Sequence, residues 1–366
     1  MEWLLPPSRR RFLQVSTAVT LAGSIRAWSA PRPRPQVSRI IFLNLVGGPS
    51  QLDTFDPKPA APLDIRGPFR PLATSVPGLH LTELLPRTAR LAHHLAFIRT
   101  LHHDAAPIHE TGQQLVQTGK LAVDGSEPAN WSALLAAKKT SGSGKAWLVP
   151  GPLRNTGVMV SHGQSAGPLG ATWQPALLPP AMIDEADWSQ ARHRFGDAPF
   201  GRACFQALRL IEREPAFLTI NMYDTVFDQP TWDCHADGGS LRTTLGDLGR
   251  LVAPVFDTAF AALVESLLER GLWRETLLVV TGEFGRTPRL NRRGGRDHWP
   301  HVWTGIVAGG VVPGGAVIGR SDEHGAYPQE DPVPAAALPA FMAAAAGCEM
   351  PSELGEVPAL LRLLWR

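Results

Sequence analysis

The sequence predicts an α/β domain built on a mainly parallel sheet, and three observations carry that prediction. Short apolar runs of strand length alternate with stretches of helical periodicity. Four of the apolar runs are followed by acids and histidines, the residue types expected beyond the carboxyl edge of a parallel sheet. Gly 35 and Pro 34 among 366 residues call for long, shaped loops between the elements.

The first segment is not part of that domain. Ser8-Arg9-Arg10-Arg11-Phe12-Leu13-Gln14 resembles the twin-arginine export motif, and an apolar stretch from Phe12 to Ile25 follows it. That stretch is too short and too rich in Ser, Thr and Gly to span a bilayer. Ala27, Ser29 and Ala30 offer a cleavage site, so residues 1–30 read as a signal peptide recognised by the twin-arginine translocase. Ser24 stands where a lipoprotein would carry its lipidated cysteine. The mature chain is expected in the periplasm or outside the cell. Residues 31–38, rich in proline, read as a linker.

From residue 39 to 366 the chain reads as one domain. Arg39 to Val46 is a buried first strand, Leu84 to Leu95 a helix, and Ala96 to Leu101 a second strand. Asn130 to Lys139 is a helix. The stretch from Thr140 to Gly170 lacks a clear period and is expected to be loop, within an insertion covering about residues 140–200. Ala203 to Glu212 reads as a helix and Ala216 to Met222 as a strand. Asp257 to Arg270 carries apolar residues three or four apart, with Asp257 in its first turn and Gly271 as its stop. Thr276 to Thr281 and Val302 to Ala308 complete the strands.

Composition narrows the function. A formal net charge of +2 gives no reason to expect nucleic acid as a partner, and no apolar run in the mature part reads as a membrane span. Cys204, Cys234 and Cys348 allow at most one disulfide and match no thiolate metal site.

The chemistry-bearing residues follow strands. Gly47 to Asp56, with Asp53 and Asp56, follows the first; His102, His103, His109, Glu110 and Thr111 follow the second. Asp233 and His235 come after Met222, and Glu283, Arg286, Asp297 and His298 after Val280. Mixed carboxylate and imidazole ligands suit zinc, manganese or a similar divalent ion. The stretch Thr281 to His301 also holds five arginines. Arg286 is the candidate to grip a bidentate oxyanion beside the metal, with Arg296 as an alternative.

Gly47 to Pro59, Ile65 to Phe69, Gly282 to Pro288 and Gly295 to Pro300 together resemble the exported, sulfatase-like proteins of domain-of-unknown-function family 1501, as does Gly314 to Gly319 with Ser321-Asp322. The resemblance covers Arg39 to about Tyr327. It implies the alkaline phosphatase and sulfatase superfamily, with a three-layer α/β/α sandwich, one or two divalent metals, and phosphate or sulfate esters as substrates.

Carried over by position, Asp233, His235 and His298 match the first metal's ligands. Glu283 stands in the second metal's ligand pair, while Phe284 replaces its partner. Asp53 or Asp56 is the nearest substitute for an acid after the first strand. His109, with Thr111 close by, occupies the place of the nucleophile. Standard two-metal ester hydrolysis, a transient phosphohistidine at His109, attack by a metal-activated water, and a non-catalytic envelope binding or assembly protein with one structural metal all remain open at this point.

Overall fold

The computed structural model describes residues 36–139, 144–179, 182–348 and 360. The export motif, the expected cleavage site and most of the linker lie outside the described residues.

The strands that build the central sheet are β1 (Arg39–Asn44), β2 (Leu95–His102), β3 (Lys145–Val149), β4 (Ala176–Leu177), β5 (Ala216–Asn221), β6 (Thr276–Thr281), β7 (Trp303–Gly309), β8 (Val317–Ile318) and β9 (Val333–Pro334). Their order is β8-β2-β7-β6-β1-β5-β3-β4, with β9 beside the end of β2. β1 pairs in parallel with both β5 and β6. Only β7 runs against its neighbours β2 and β6. The sheet is thus mainly parallel, as the alternating pattern predicts.

β1 shows why both faces must be covered. Ile41 and Leu43 point into one apolar cluster, Ile40 and Phe42 into another, the period of two of an extended chain. The main helices are α1 (His109–Thr118), α2 (Trp131–Lys138), α3 (Glu185–Phe195), α4 (Pro199–Arg213), α5 (Ala253–Glu269) and α6 (Leu338–Ala345). The first cluster takes residues from α3, α4 and α5; the second takes residues from α1, α2 and α6. The result is a three-layer α/β/α sandwich.

Several expectations change here. The loop expected from Thr140 to Gly170 contains β3, which pairs with β5 inside the central sheet. Asp257 does not lie in the first turn of its helix, because α5 begins at Ala253. Its carboxylate instead accepts the Arg87 and Thr88 amides at 2.9 and 2.7 Å, at the start of the short helix Pro86–Leu91. Leu245–Glu269 is, contrary to the sequence reading, long and apolar enough to cross a membrane. However, 67% of its apolar window is buried, as befits a core helix. All three cysteines are free thiols.

Candidate metal centre

The carboxyl ends of β1, β5 and β6 lie side by side, with Asn44 opposite both Asn221 and Thr281. The loops beyond them, together with the start of α1 and the residues before β7, enclose the site. Close approach depends on glycine at two points. A Cβ on Gly47 would lie 2.6 Å from the Asp233 amide nitrogen, and one on Gly112 2.6 Å from the Glu283 carbonyl oxygen. Gly47 also has φ +108°, a conformation that favours glycine.

His109, Asp233 and His298 converge, their ligand atoms all within 4.8 Å of one another. The Asp233 Oδ2 atom lies 2.8 Å from His109 Nε2 and 3.3 Å from His298 Nε2. The outer nitrogen of each ring is anchored. His109 Nδ1 is 2.6 Å from Glu283 Oε1, and His298 Nδ1 is 2.6 Å from the Pro107 carbonyl. A carbonyl can only accept, so His298 Nδ1 carries the proton and Nε2 is free to coordinate. The donor set of two imidazoles and one carboxylate fits a divalent ion of the zinc type.

Electrostatics follow from the same contacts. Burial alone would push the His109 imidazole down, but hydrogen bonds to Asp233 and Glu283 outweigh it and raise its pKa to about 9. Burial would likewise push the Asp233 carboxyl up. Arg286 and the imidazoles of His109, His235 and His298 overcome that and hold it well below the usual carboxylate range. Burial dominates at His298, whose pKa falls to about 4.

The other candidates fall into place around this group. His235 lies on the far oxygen of Asp233, Oδ1, and its ring is 4.6 Å from that of His298. Glu283 reaches His109 rather than joining the three ligand atoms. Its Oε1 also accepts the Gly47 amide at 2.9 Å, and its Oε2 accepts Gln113 Nε2 at 3.0 Å. Asp53 stands apart. It is buried and bound to Arg296 Nε at 2.6 Å and to the Ser50 hydroxyl at 2.6 Å. The expected ligand role of Asp53 therefore gives way to a closed ion pair.

The expected roles of His109, Thr111 and Arg286 shift for physical reasons. Both ring nitrogens of His109 face carboxylates, Nδ1 on Glu283 and Nε2 on Asp233, so Nε2 points at the group of ligand atoms rather than at open space where an ester could sit. The Thr111 hydroxyl donates to the Ala106 and Ile108 carbonyls at 2.6 and 3.0 Å. Arg286 is fully buried. Its Nε donates to the Gly48 carbonyl at 3.0 Å, Nη2 lies against the Gly47 carbonyl and 3.1 Å from Asp233, and Nη1 reaches the Arg296 carbonyl at 3.2 Å. Arg286 thus holds the loops and Asp233, with no donor turned to solvent.

Sequence reasoning missed the amide side chains behind Glu283. Gln113 and Gln117 follow His109 at intervals of four, which places all three on one face of α1. That periodicity was the available signal.

The fold matches solved structures at low sequence identity. The protein in the crystal structure of Ps i-CgsB with k-i-k-neocarrahexaose is 15% identical, with 90% of this chain and 77% of that one covered at a TM-score of 0.50. BT4656, solved with its substrate D-glucosamine-2-N,6-O-disulfate, is 11% identical over 91% of this chain and 80% of that one, also at 0.50. The PsFucS1 sulfatase from Pseudoalteromonas sp. is 12% identical, with 98% and 76% covered and a TM-score of 0.49. At such identities the likeness shows the fold alone, which is alkaline phosphatase and sulfatase-like. A search of curated proteins gives no match. A family model described as a protein of unknown function (DUF1501) matches residues 37–184 and 180–358, and the chain belongs to that family.

Proposed function

We propose that this chain is an exported hydrolase of sulfate or phosphate esters that depends on one divalent cation, held by His109, Asp233 and His298. The observation that carries the reading is the convergence of their three ligand atoms from three separate segments of the chain, each histidine aimed by a partner on its outer nitrogen. A bound ion supplies Lewis acidity toward a sulfuryl or phosphoryl oxygen. Within the chain, Glu283 and Pro107 orient the imidazoles, while Arg286 fixes Asp233 and excludes water from its rear.

Substrate would approach from the side of His298 and His235, whose side chains are 17% and 18% exposed, because His109 and Asp233 are closed off. Sulfate esters head the list of substrates, supported by the disulfated sugar named as the substrate of BT4656. Cys234, adjacent to Asp233, offers no nucleophile, since burial pushes its thiol up to about 11. The reading therefore places no covalent step on Cys234. Export rests on the Ser8 to Gln14 motif, and Lys substitution of both Arg9 and Arg10 should keep the precursor inside the cell.

A second reading is a binding protein on the same fold. It is favoured by one observation: neither proposed nucleophile position, His109 or Thr111, presents a free imidazole or hydroxyl. Metal analysis of purified protein, followed by a screen of aryl sulfate and aryl phosphate esters, separates the two. Zinc or manganese near one per chain with ester turnover supports the hydrolase, and metal with anion binding alone supports the binding protein. Absence of metal at micromolar supply defeats both.

A further inference from the structure

Behind Glu283 lies a cluster of six carboxamide side chains, Asn44, Gln113, Gln117, Asn130, Gln164 and Asn221, all buried. They are bonded to one another rather than to solvent. Asn44 Nδ2 donates to Gln113 Oε1 at 2.9 Å and to Asn221 Oδ1 at 2.8 Å. Gln164 Nε2 donates to Asn221 Oδ1 at 2.9 Å, and Asn130 Nδ2 to Gln117 Oε1 at 3.1 Å. The far side of the cluster ends on backbone, at the Gly151 and Gly163 carbonyls. A buried amide is costly unless paired, and a paired network holds each member in one orientation.

Only one of the six touches the metal centre. Gln113 Nε2 donates to Glu283 Oε2 at 3.0 Å, while its Oε1 is held by Asn44 and Gln117. Which end of the Gln113 amide faces Glu283 is therefore fixed by its neighbours. An amide nitrogen can only donate, so Glu283 meets it as an acceptor and keeps Oε1 for the His109 Nδ1 proton.

We propose that Gln113 is a positioning residue for the metal centre. It fixes the Glu283 carboxylate, which in turn fixes the tautomer and direction of His109. The proposal rests on the one-ion reading above. Partners of this outer kind typically change metal affinity by roughly 10–100-fold when removed. Gln164 provides the control, since it belongs to the same buried network but does not contact Glu283.

The test uses the full mature protein with zinc as the probe and cobalt as a spectroscopic reporter. Gln113→Met should weaken zinc binding roughly 10–100-fold and alter the visible spectrum of the cobalt form. Gln164→Met should lower the melting temperature comparably but leave zinc affinity within about twofold. Equal zinc affinity in Gln113→Met and wild type overturns the proposal, as does an equal loss in both variants. If Gln113→Met does not fold, the side-chain amide resonance of Gln113 in wild-type protein decides. Zinc should shift it as it shifts the His109 ring, and an unmoved amide beside a shifted ring overturns the assignment. Failure of wild-type protein to bind zinc would count against the one-ion reading itself, which keeps the two failures distinct.

Discussion

Asp53 and Asp233 are two buried carboxylates, each bound to a fully buried arginine from the same loop, yet their surroundings differ. Asp53 meets Arg296 and the Ser50 hydroxyl and, among the described residues, no imidazole. Asp233 meets Arg286 and three imidazoles, two of which are anchored at their outer nitrogens. A buried carboxylate with one cation is a closed pair, whereas one with surplus imidazoles aimed at it is a candidate ligand. The loop from Thr281 to His301 carries so many charges because two of its arginines compensate these acids. Arg289 and Arg293 sit at the exposed rim against Asp64 and the Asp237 carbonyl, where such contacts are worth little.

The contrast is easiest to break at Asp53. Asp53→Ala leaves Arg296 buried without a counter-charge, held only by backbone carbonyls, which should cost about 3–5 kcal/mol of folding stability in urea titrations. Metal content of the surviving folded protein should not change. Loss of metal without loss of stability would restore Asp53 as a ligand.

His298→Ala probes the other carboxylate. Zinc affinity should drop more than roughly 100-fold, beyond the effect of losing an outer partner. The melting temperature of the metal-free protein should stay nearly constant, since His298 is partly open to solvent and its removal strands no buried charge. A large fall in melting temperature at unchanged zinc affinity would make His298 scaffolding.

Histidines show the same contrast in a pH-dependent form. His109, between two carboxylates, is raised to about 9, while His103, buried against Trp303, is lowered to about 4 by burial. For His103 the folded value lies below the unfolded one near 6.5, so the unfolded chain takes up the proton first. Its contribution is intact above pH 6.5 and falls away as the pH drops toward 4, about 2 kcal/mol being lost by pH 5. His103→Phe should flatten the stability profile between pH 6.5 and 5. An unchanged slope would mean that the ring is solvated.

The smallest effect concerns thiols. Cys204 and Cys234 are fully buried and burial pushes both thiols up, whereas Cys348 is only half-buried. A thiol reagent at pH 8 should therefore label Cys348 quickly and the others slowly. Rapid labelling of Cys234 would show that the rear of Asp233 is open.

The strands most legible in the sequence were those buried on both faces, because a continuous apolar run has few other uses. Thr276–Thr281 matches its reading residue for residue. β3 escaped notice because it is only five residues long and starts with an exposed lysine after a Gly- and Ser-rich stretch. The reversed direction of β7 was not legible, since an apolar run carries no sign of which way it pairs. At the centre, the sequence brought forward Asp233, His298 and Glu283 but assigned His109 to attack. A nucleophile and a ligand look alike until the partners of both ring nitrogens are visible.

Local rules were enough for what the sequence alone determined: the α/β class, the sheet edge that carries the chemistry, and the residue types gathered there. Apolar period and the polar loops after strands both act over a few neighbours. Only tertiary structure decided which acid pairs with which arginine, that Asp53 leaves the group while His109 joins it, and that amides fill the space behind Glu283. Those outcomes depend on contacts between positions such as Asp53 and Arg296, 243 residues apart, where desolvation makes an uncompensated buried charge costly.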